Sequence, residues 1–255
     1  MTDRKYKNPP IHEAVCQMVF ESPQPWSVRT AGTLYELLKG SYPLEPVEQQ
    51  LIQADLVGAG PVGENASPLR VVHGPPRFQF RSNDQTQMLT VGPDLLAVHR
   101  LAPYVSFEDE FLPRVQRDIE ALRSEFSALG GLKSLSLRYI NKVVVPGRVI
   151  NLNDYFSYKA FAAIDEMPFA GGVSGFFYRT QLANPEERMH FSLTVASVDS
   201  AEDAVGVLLD LDLVSMISEN LGSEVAIVEE LKRLKSKENE LFESLITQKC
   251  RELFE

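Results

Sequence analysis

"KSLSLRYINKVVVP", residues 133–146, places Leu135, Leu137, Tyr139, Val143 and Val145 on one parity and Ser136, Arg138, Ile140 and Lys142 on the other. A period of two is the signature of a β-strand with one buried and one more polar face. At fourteen residues the stretch is long enough to run through the middle of a sheet, and an antiparallel sheet half-covered by helices is the architecture that uses such a strand.

The flanking text supplies the rest of that sheet. Toward the N-terminus, SFEDEFLPRVQRDIEALRSEFSALGG (106–131) repeats apolar residues at three and four: Leu112, Val115, Ile119, Leu122, Phe126 and Leu129. Ser106 can cap this helix, Gly130-Gly131 close it, and Pro113 kinks it or marks its first turn. Before it come three strand-like runs, Arg77–Asn83, Gln87–Val91 and Asp94–Ala102, a Gly/Pro-rich loop at Gly58–Pro76, and a weak strand in VEQQLIQADL (47–56). WSVRTAGTLYELLKG (26–40) reads as a helix with Val28, Ala31, Leu34 and Leu38 on one stripe and Gly40 as its stop. At the front, Ile11–Ser22 alternates, with Ala14, Cys16, Met18 and Phe20 on the clean face and Glu13, Gln17 and Glu21 on the other.

Toward the C-terminus, NLNDYF (151–156) is a short helical turn. Extended stretches follow at Tyr158–Ile164, Gly172–Leu182, Arg188–Val198 and Ala204–Val214. A long helix begins near Glu224, with Ile227, Leu231, Leu234, Leu241, Leu245 and Ile246 on its apolar side and Thr247 capping a final turn. Each half therefore reads strand, helix, four strands, helix. The expected fold class is α+β: two β-α-β4-α-like halves, residues 1–131 and 132–255, forming one compact unit with a curved antiparallel sheet and long helices on one face. The order of elements resembles the duplicated unit of TATA-box-binding-protein-like folds and, less closely, helix-grip folds; fold resemblance alone implies no activity.

The chain has 255 residues, 44% hydrophobic and 24% charged, which suits a globular protein. Net charge is −10, and residues 199–255 hold fourteen acidic against six basic side chains, a balance that disfavours a protein devoted to gripping phosphate backbones. No apolar run is long enough to cross a bilayer, and MTDRKYKNPPIHE lacks a secretion signal, so a cytoplasmic protein is expected. The two cysteines, Cys16 and Cys250, stand far apart among apolar neighbours and read as buried thiols.

No motif announces an activity. Gly58–Gly63 satisfies G-x-G-x-x-G but is interrupted by Pro61 and lacks a βαβ context. Gly172–Gly175 misses the nucleophile elbow around Ser174, and His12, His73, His99 and His190 show no local metal spacing. No cofactor is expected. Asp210 and Asp212 share a strand face and are the candidate metal ligands. Glu13, Gln17, Arg77, Arg81, Arg100, Arg138, Asn141 and Lys142 are the candidate ligand-binding residues, a mixed-charge surface on the open face of the sheet. His12 and Glu13 fall on opposite faces, His12 toward the core edge and Glu13 where Arg138 can pair with it. The long helix, VEELKRLKSKENELFESLI, can support a homodimer, although core packing of its apolar stripe explains it equally well.

Four stretches carry a family resemblance: Tyr6-x-Asn8-Pro9-Pro10-Ile11-x-Glu13-Ala14, Leu137–Asn141 (LRYIN), Leu209–Asp212 (LDLD) and Phe242-x-x-x-Ile246-Thr247. With them the whole chain resembles a sporadically distributed bacterial family of about 260 residues. That resemblance implies an architecture and no chemistry, since no activity, substrate or catalytic residue is established for the family. The expected function is a non-enzymatic module that binds a small ligand or a protein partner on the open face of the sheet. The alternatives are a metal-dependent phosphoesterase using Asp210 and Asp212 with Glu13 or His12, and nucleic-acid binding through the arginines.

Overall fold

The long strand is the spine of the molecule. In the computed structural model, which describes residues 4–21, 23, 26–49, 52–56, 69–123, 131–148, 150–159, 175–217 and 224–255, it runs over Leu132–Pro146 and is flanked on both sides. In chain order the elements are β1 (Ile11–Phe20), α1 (Val28–Leu38), β2 (Val47–Gln49), β3 (Ile52–Leu56), β4 (Leu69–His73), β5 (Arg77–Arg81), β6 (Gln87–Val91) and β7 (Leu95–Leu101). A π-helical turn (Phe107–Phe111) then runs into α2 (Leu112–Leu122), followed by β8 (Leu132–Pro146) and a 3-10 turn (Leu152–Asp154). The chain continues with β9 (Phe177–Asn184), β10 (Met189–Val198), β11 (Ala204–Met216), α3 (Glu224–Leu245), α4 (Gln248–Arg251) and a last 3-10 turn (Glu252–Phe254). Nine strands form one sheet in the order β2-β5-β6-β7-β1-β8-β11-β10-β9, every pairing antiparallel. The α+β class is as expected.

One face of the sheet is buried under helices. Cys16, Met18, Leu135 and Leu137 pack with Leu34 and Leu38 of α1, Val115, Ile119 and Leu122 of α2, and Leu231 and Leu234 of α3. Val143, Val145, Leu209 and Leu211 continue the same face beneath Phe242, Ile246, Cys250 and Phe254. Each such side chain contributes about 1.5–3 kcal/mol on leaving water, and this layer dominates the stability. The apolar stripe of α3 is thereby consumed in the core. Both cysteines are buried, and burial pushes each thiol up to about 12.

Local chemistry sets the helix ends. Ser27 and Thr30 form a reciprocal capping box at α1. Ser106 Oγ accepts from Asp109 N at 2.9 Å, with Glu108, Asp109 and Glu110 complementing the positive helix end. The irregularity expected at Pro113 takes the form of a change from π to α geometry at Leu112. Thr247 caps α4 as expected.

Two expectations are corrected here. VEQQLIQADL is two strands: β2 joins the large sheet, while β3 pairs with β4 in a separate two-stranded ladder drawn from the segment read as loop. Strict alternation also fails at His12. Ile11 lies opposite Asn141 and Glu13 opposite Ile140, so His12 is the extra residue of a β-bulge and is exposed, away from the core edge. The bulge reverses the phase of the strand, sending Ile11 to the helix side. The glycine motif at 58–63, Ser174, Phe126, Leu129 and most of the Tyr158–Ile164 stretch lie outside the described residues. Among the described residues no helix is long and apolar enough to cross a membrane.

Candidate functional site

Strand parity sorts the expected site residues. Gln17 of β1, Ala97 of β7, Thr90 of β6 and Gln79 of β5 lie opposite one another in a row across the face away from the helices. His99 of β7 lies opposite Val15, and Arg138 of β8 stands on the other side of the same Val15. Glu13, Gln17, Arg77, Arg81, Arg138 and Lys142 belong to this outer face. Arg100 and Asn141 do not. Arg100 is opposite the core residue Ala14, its Nε 2.8 Å from Glu110 Oε1 beside the helices. Asn141 is 2% exposed, and its Nδ2 donates to Leu209 O at 3.3 Å. Both are polar residues on the helix-covered parity, which removes them from the open face.

The outer face is not a simple ladder of salt bridges. Glu13 Oε1 is 2.8 Å from His99 Nδ1, and His99 Nε2 is 3.1 Å from Thr90 Oγ1. Glu13 thus finds His99 where Arg138 was expected. With neutral imidazole, one tautomer satisfies both contacts as a relay: Nδ1–H donates to the carboxylate and Nε2 accepts from the threonine hydroxyl. Burial pushes the Glu13 carboxyl up, but the His99 hydrogen bond and the charges of His99, Arg138 and His12 outweigh it, and the group sits below its ordinary value.

Arg138 instead embraces Asp210, with Nε to Oδ1 at 2.7 Å and Nη2 to Oδ2 at 2.6 Å, a bidentate fork. Both oxygens of Asp210 are therefore committed. Asp212, two residues on, has a buried Oδ1 that accepts no hydrogen bond from the described residues. Burial pushes its carboxyl up, Arg138 and Arg179 pull it down, and neighbouring Asp210 raises it again; the net direction is upward. Among the described residues no cluster of three or more His, Cys, Asp or Glu is arranged to hold a metal ion. That geometry lends the metal reading of Asp210 and Asp212 no support, because the Arg138 guanidinium holds both oxygens of Asp210.

A depression of about 390 Å³ opens on this face, lined by Gln17, Gln49, Arg77, Gln79, Thr90, Leu95, Ala97 and His99. Its floor is apolar: Leu95 and Ala97 pack with Val15 and Val19 as a small cluster of their own. Arg77 lies across Gly92, where an added Cβ would stand 3.0 Å from Arg77 Cγ, so glycine gives the stem its bed. Its Nε is buried without a hydrogen-bond partner among the described residues, as is that of Arg81. His99, Thr90, Gln49 and Gln79 were not foreseen as site residues. Their parity was readable, but the register that brings β1, β5, β6 and β7 side by side was not. No protein-family model matches this chain, and no curated protein matches its sequence.

Proposed function

We propose that the protein is a binding module for a small anionic ligand, seated in the outer-face depression between β1, β2, β5, β6 and β7. The observation that carries this reading is Arg77: a guanidinium whose buried Nε has no hydrogen-bond partner among the described residues, in a concavity ringed by three glutamines, a threonine and a histidine. A buried donor left unpaired costs about 1–3 kcal/mol, a cost that a carboxylate or phosphate oxygen relieves. The amide side chains add neutral donors, and the Leu95–Ala97 floor shields the contact from water. Nucleic acid draws less support, because Arg138 is already neutralised by Asp210 and Arg100 lies on the helix side. The test is calorimetric titration with succinate and with phosphate, in wild type and Arg77→Met. Saturable binding of either anion, weakened at least about tenfold by the substitution, is expected. Binding of neither, or binding indifferent to Arg77, removes the proposal.

A second reading has its own observation. The Glu13–His99–Thr90 relay is the arrangement in which a base, oriented by a carboxylate, withdraws the proton of a hydroxyl nucleophile. Turnover of an activated ester such as p-nitrophenyl acetate, lost in both Thr90→Val and His99→Gln, is the outcome it requires.

We also infer duplicated β-α-β4-α-like halves, 1–131 and 132–255, in the manner of TATA-box-binding-protein-like folds. Outward from the β1–β8 seam the order β7, β6, β5 is matched by β11, β10, β9, and α2 and α3 follow the two sets.

A further inference from the structure

A concavity larger than the outer-face depression lies on the opposite side of the sheet, among the helices. It holds about 760 Å³, between the N-terminal segment, the loop leading into the π-helical turn and α3. The bulge at His12 builds one wall, because the phase reversal turns Ile11 to the helix side and brings Pro9, Pro10 and Tyr6 with it. Tyr104 and Phe107 form the second wall and Phe242 the third, with Asn141 of β8 between them.

Charge is neutralised within these walls. Lys235 Nζ is 2.7 Å from Glu238 Oε2, with side chains 14% and 4% exposed, and rides 3.9 Å above the Tyr139 ring. Tyr6 donates to Glu243 at 2.5 Å, and Glu243 also receives Arg251 Nε at 2.7 Å. Arg4 pairs with Glu255, Lys232 with Glu229 and Glu240 with Lys237, while Asp109 accepts from Ser106. Lys5 and Glu108 are left at the exposed rim. An ionic ligand entering the cleft would have to break one of these pairs or be desolvated without compensation. A neutral one faces neither cost.

The polar group on offer is Asn141. Its amide nitrogen faces two backbone carbonyls, Leu209 O at 3.3 Å and Tyr139 O at 3.5 Å, which fixes the orientation of the amide. Oδ1 then accepts from no donor among the described residues and is the amide's contribution to the cleft. Oδ1 is not one of the fully buried unpaired atoms, so it opens onto the cleft and is the acceptor within reach of a ligand's donor there. Four aromatic residues, Tyr6, Tyr104, Phe107 and Phe242, line the walls, a composition suited to a flat π-system.

We propose that this cleft is a second binding site, independent of the outer face, for a neutral planar heteroaromatic molecule that gives an amino N–H to Asn141 Oδ1, the chemistry of an amino-bearing nucleobase. The ring lies among the aromatic walls, the amine reaches the floor, and the neutralised ion pairs exclude charged competitors.

Titration of the full chain with adenosine, cytidine and guanosine, followed by calorimetry, tests it, with N6,N6-dimethyladenosine as the donor-free twin. At least one of the three nucleosides is expected to saturate. Adenosine is expected to bind about tenfold more tightly than its dimethyl twin, and Asn141→Leu to erase that difference. Ser236→Trp, an exposed position at the cleft, fills the space without touching the sheet and is expected to abolish binding at an unchanged unfolding temperature. Arg77→Met is expected to leave it intact, which separates this site from the outer face. Absence of saturable binding for all three nucleosides, equal affinity for adenosine and its twin, or undiminished binding by the Ser236 variant overturns the proposal.

Discussion

Asp210 and Asp212 are two residues apart on one strand face, yet their replacement by asparagine is expected to act with opposite sign. Asp212 carries a buried carboxylate oxygen with no hydrogen-bond donor among the described residues. An ionised acceptor in that condition costs about 1–3 kcal/mol. The side chain is only partly sheltered, and Arg138 and Arg179 act on it from nearby, which brings the expected recovery in Asp212→Asn to about 1 kcal/mol. In a chain of this size that corresponds to about 2–4 °C in Tm. Asp210→Asn removes the bidentate acceptor of Arg138, itself 44% exposed, and is expected to lose about 1 kcal/mol. The pH dependence has a definite sign. Because the folded state raises the Asp212 carboxyl, the folded chain holds its proton more tightly than the unfolded chain, and the cost of ionisation is relieved as pH falls through the raised value. The advantage of Asp212→Asn should therefore be full at neutral pH and shrink toward about pH 4, the range of an ordinary carboxylate. Urea unfolding of both variants at neutral and mildly acidic pH reads this directly. If Asp212→Asn is no more stable than wild type at neutral pH, the arginines compensate the buried charge and the reasoning fails.

Glu13 titrates in the other direction: its carboxyl is held below the usual value, so Glu13 contributes stability above the unfolded carboxylate range and loses it as pH falls through its folded value. Acid unfolding of Glu13→Gln should lack that limb of the profile. Tyr42→Phe removes a fully buried hydroxyl that receives Arg114 Nη2 at 2.6 Å and donates to Asp118, and denaturant unfolding should show a loss of about 2–3 kcal/mol, against about 1 kcal/mol for the neutral bond removed in Tyr35→Phe. Gly206→Ala places a Cβ 2.6 Å from Val198 O, and the forced shift where β11 pairs with β10 should cost about 1–3 kcal/mol by the same measurement.

Alternation made most of the sheet legible. The runs that became β1, β7, β8, β10 and β11 each show period two or strong β-branched content, and α2 and α3 show their stripes. The failures have physical causes. A bulge inserts one residue without a compositional mark, so parity counted through His12 came out wrong on its N-terminal side. In β7 both faces are apolar for four residues, Leu95–Val98, so Arg100 carried no local signal of the side it faces. The site was less legible still. Glu13, His99 and Thr90 meet only because β1 lies beside β7 and β7 beside β6, and nothing within a window of ten residues encodes that register. Asn141 was counted with the open face, but its parity, shared with Tyr139 and Val143, already pointed to the covered side.

The position of β1 also bears on how the chain reaches this state. Glu13 lies opposite Leu101 on one side and Ile140 on the other, so the first strand is held by partners far along the chain. Hairpins such as β5–β6, β6–β7 and β10–β11 can close locally, whereas the seam that joins them waits for two distant segments to bracket β1. The loop entropy of that search places the protein among slowly folding, high-contact-order topologies. Until the seam closes, Ala14, Cys16, Met18 and Phe20 on one side and the ladder groups of β8 on the other stand open to solvent. The central strand, paired on both sides once folded, is the one most exposed to misassociation during folding.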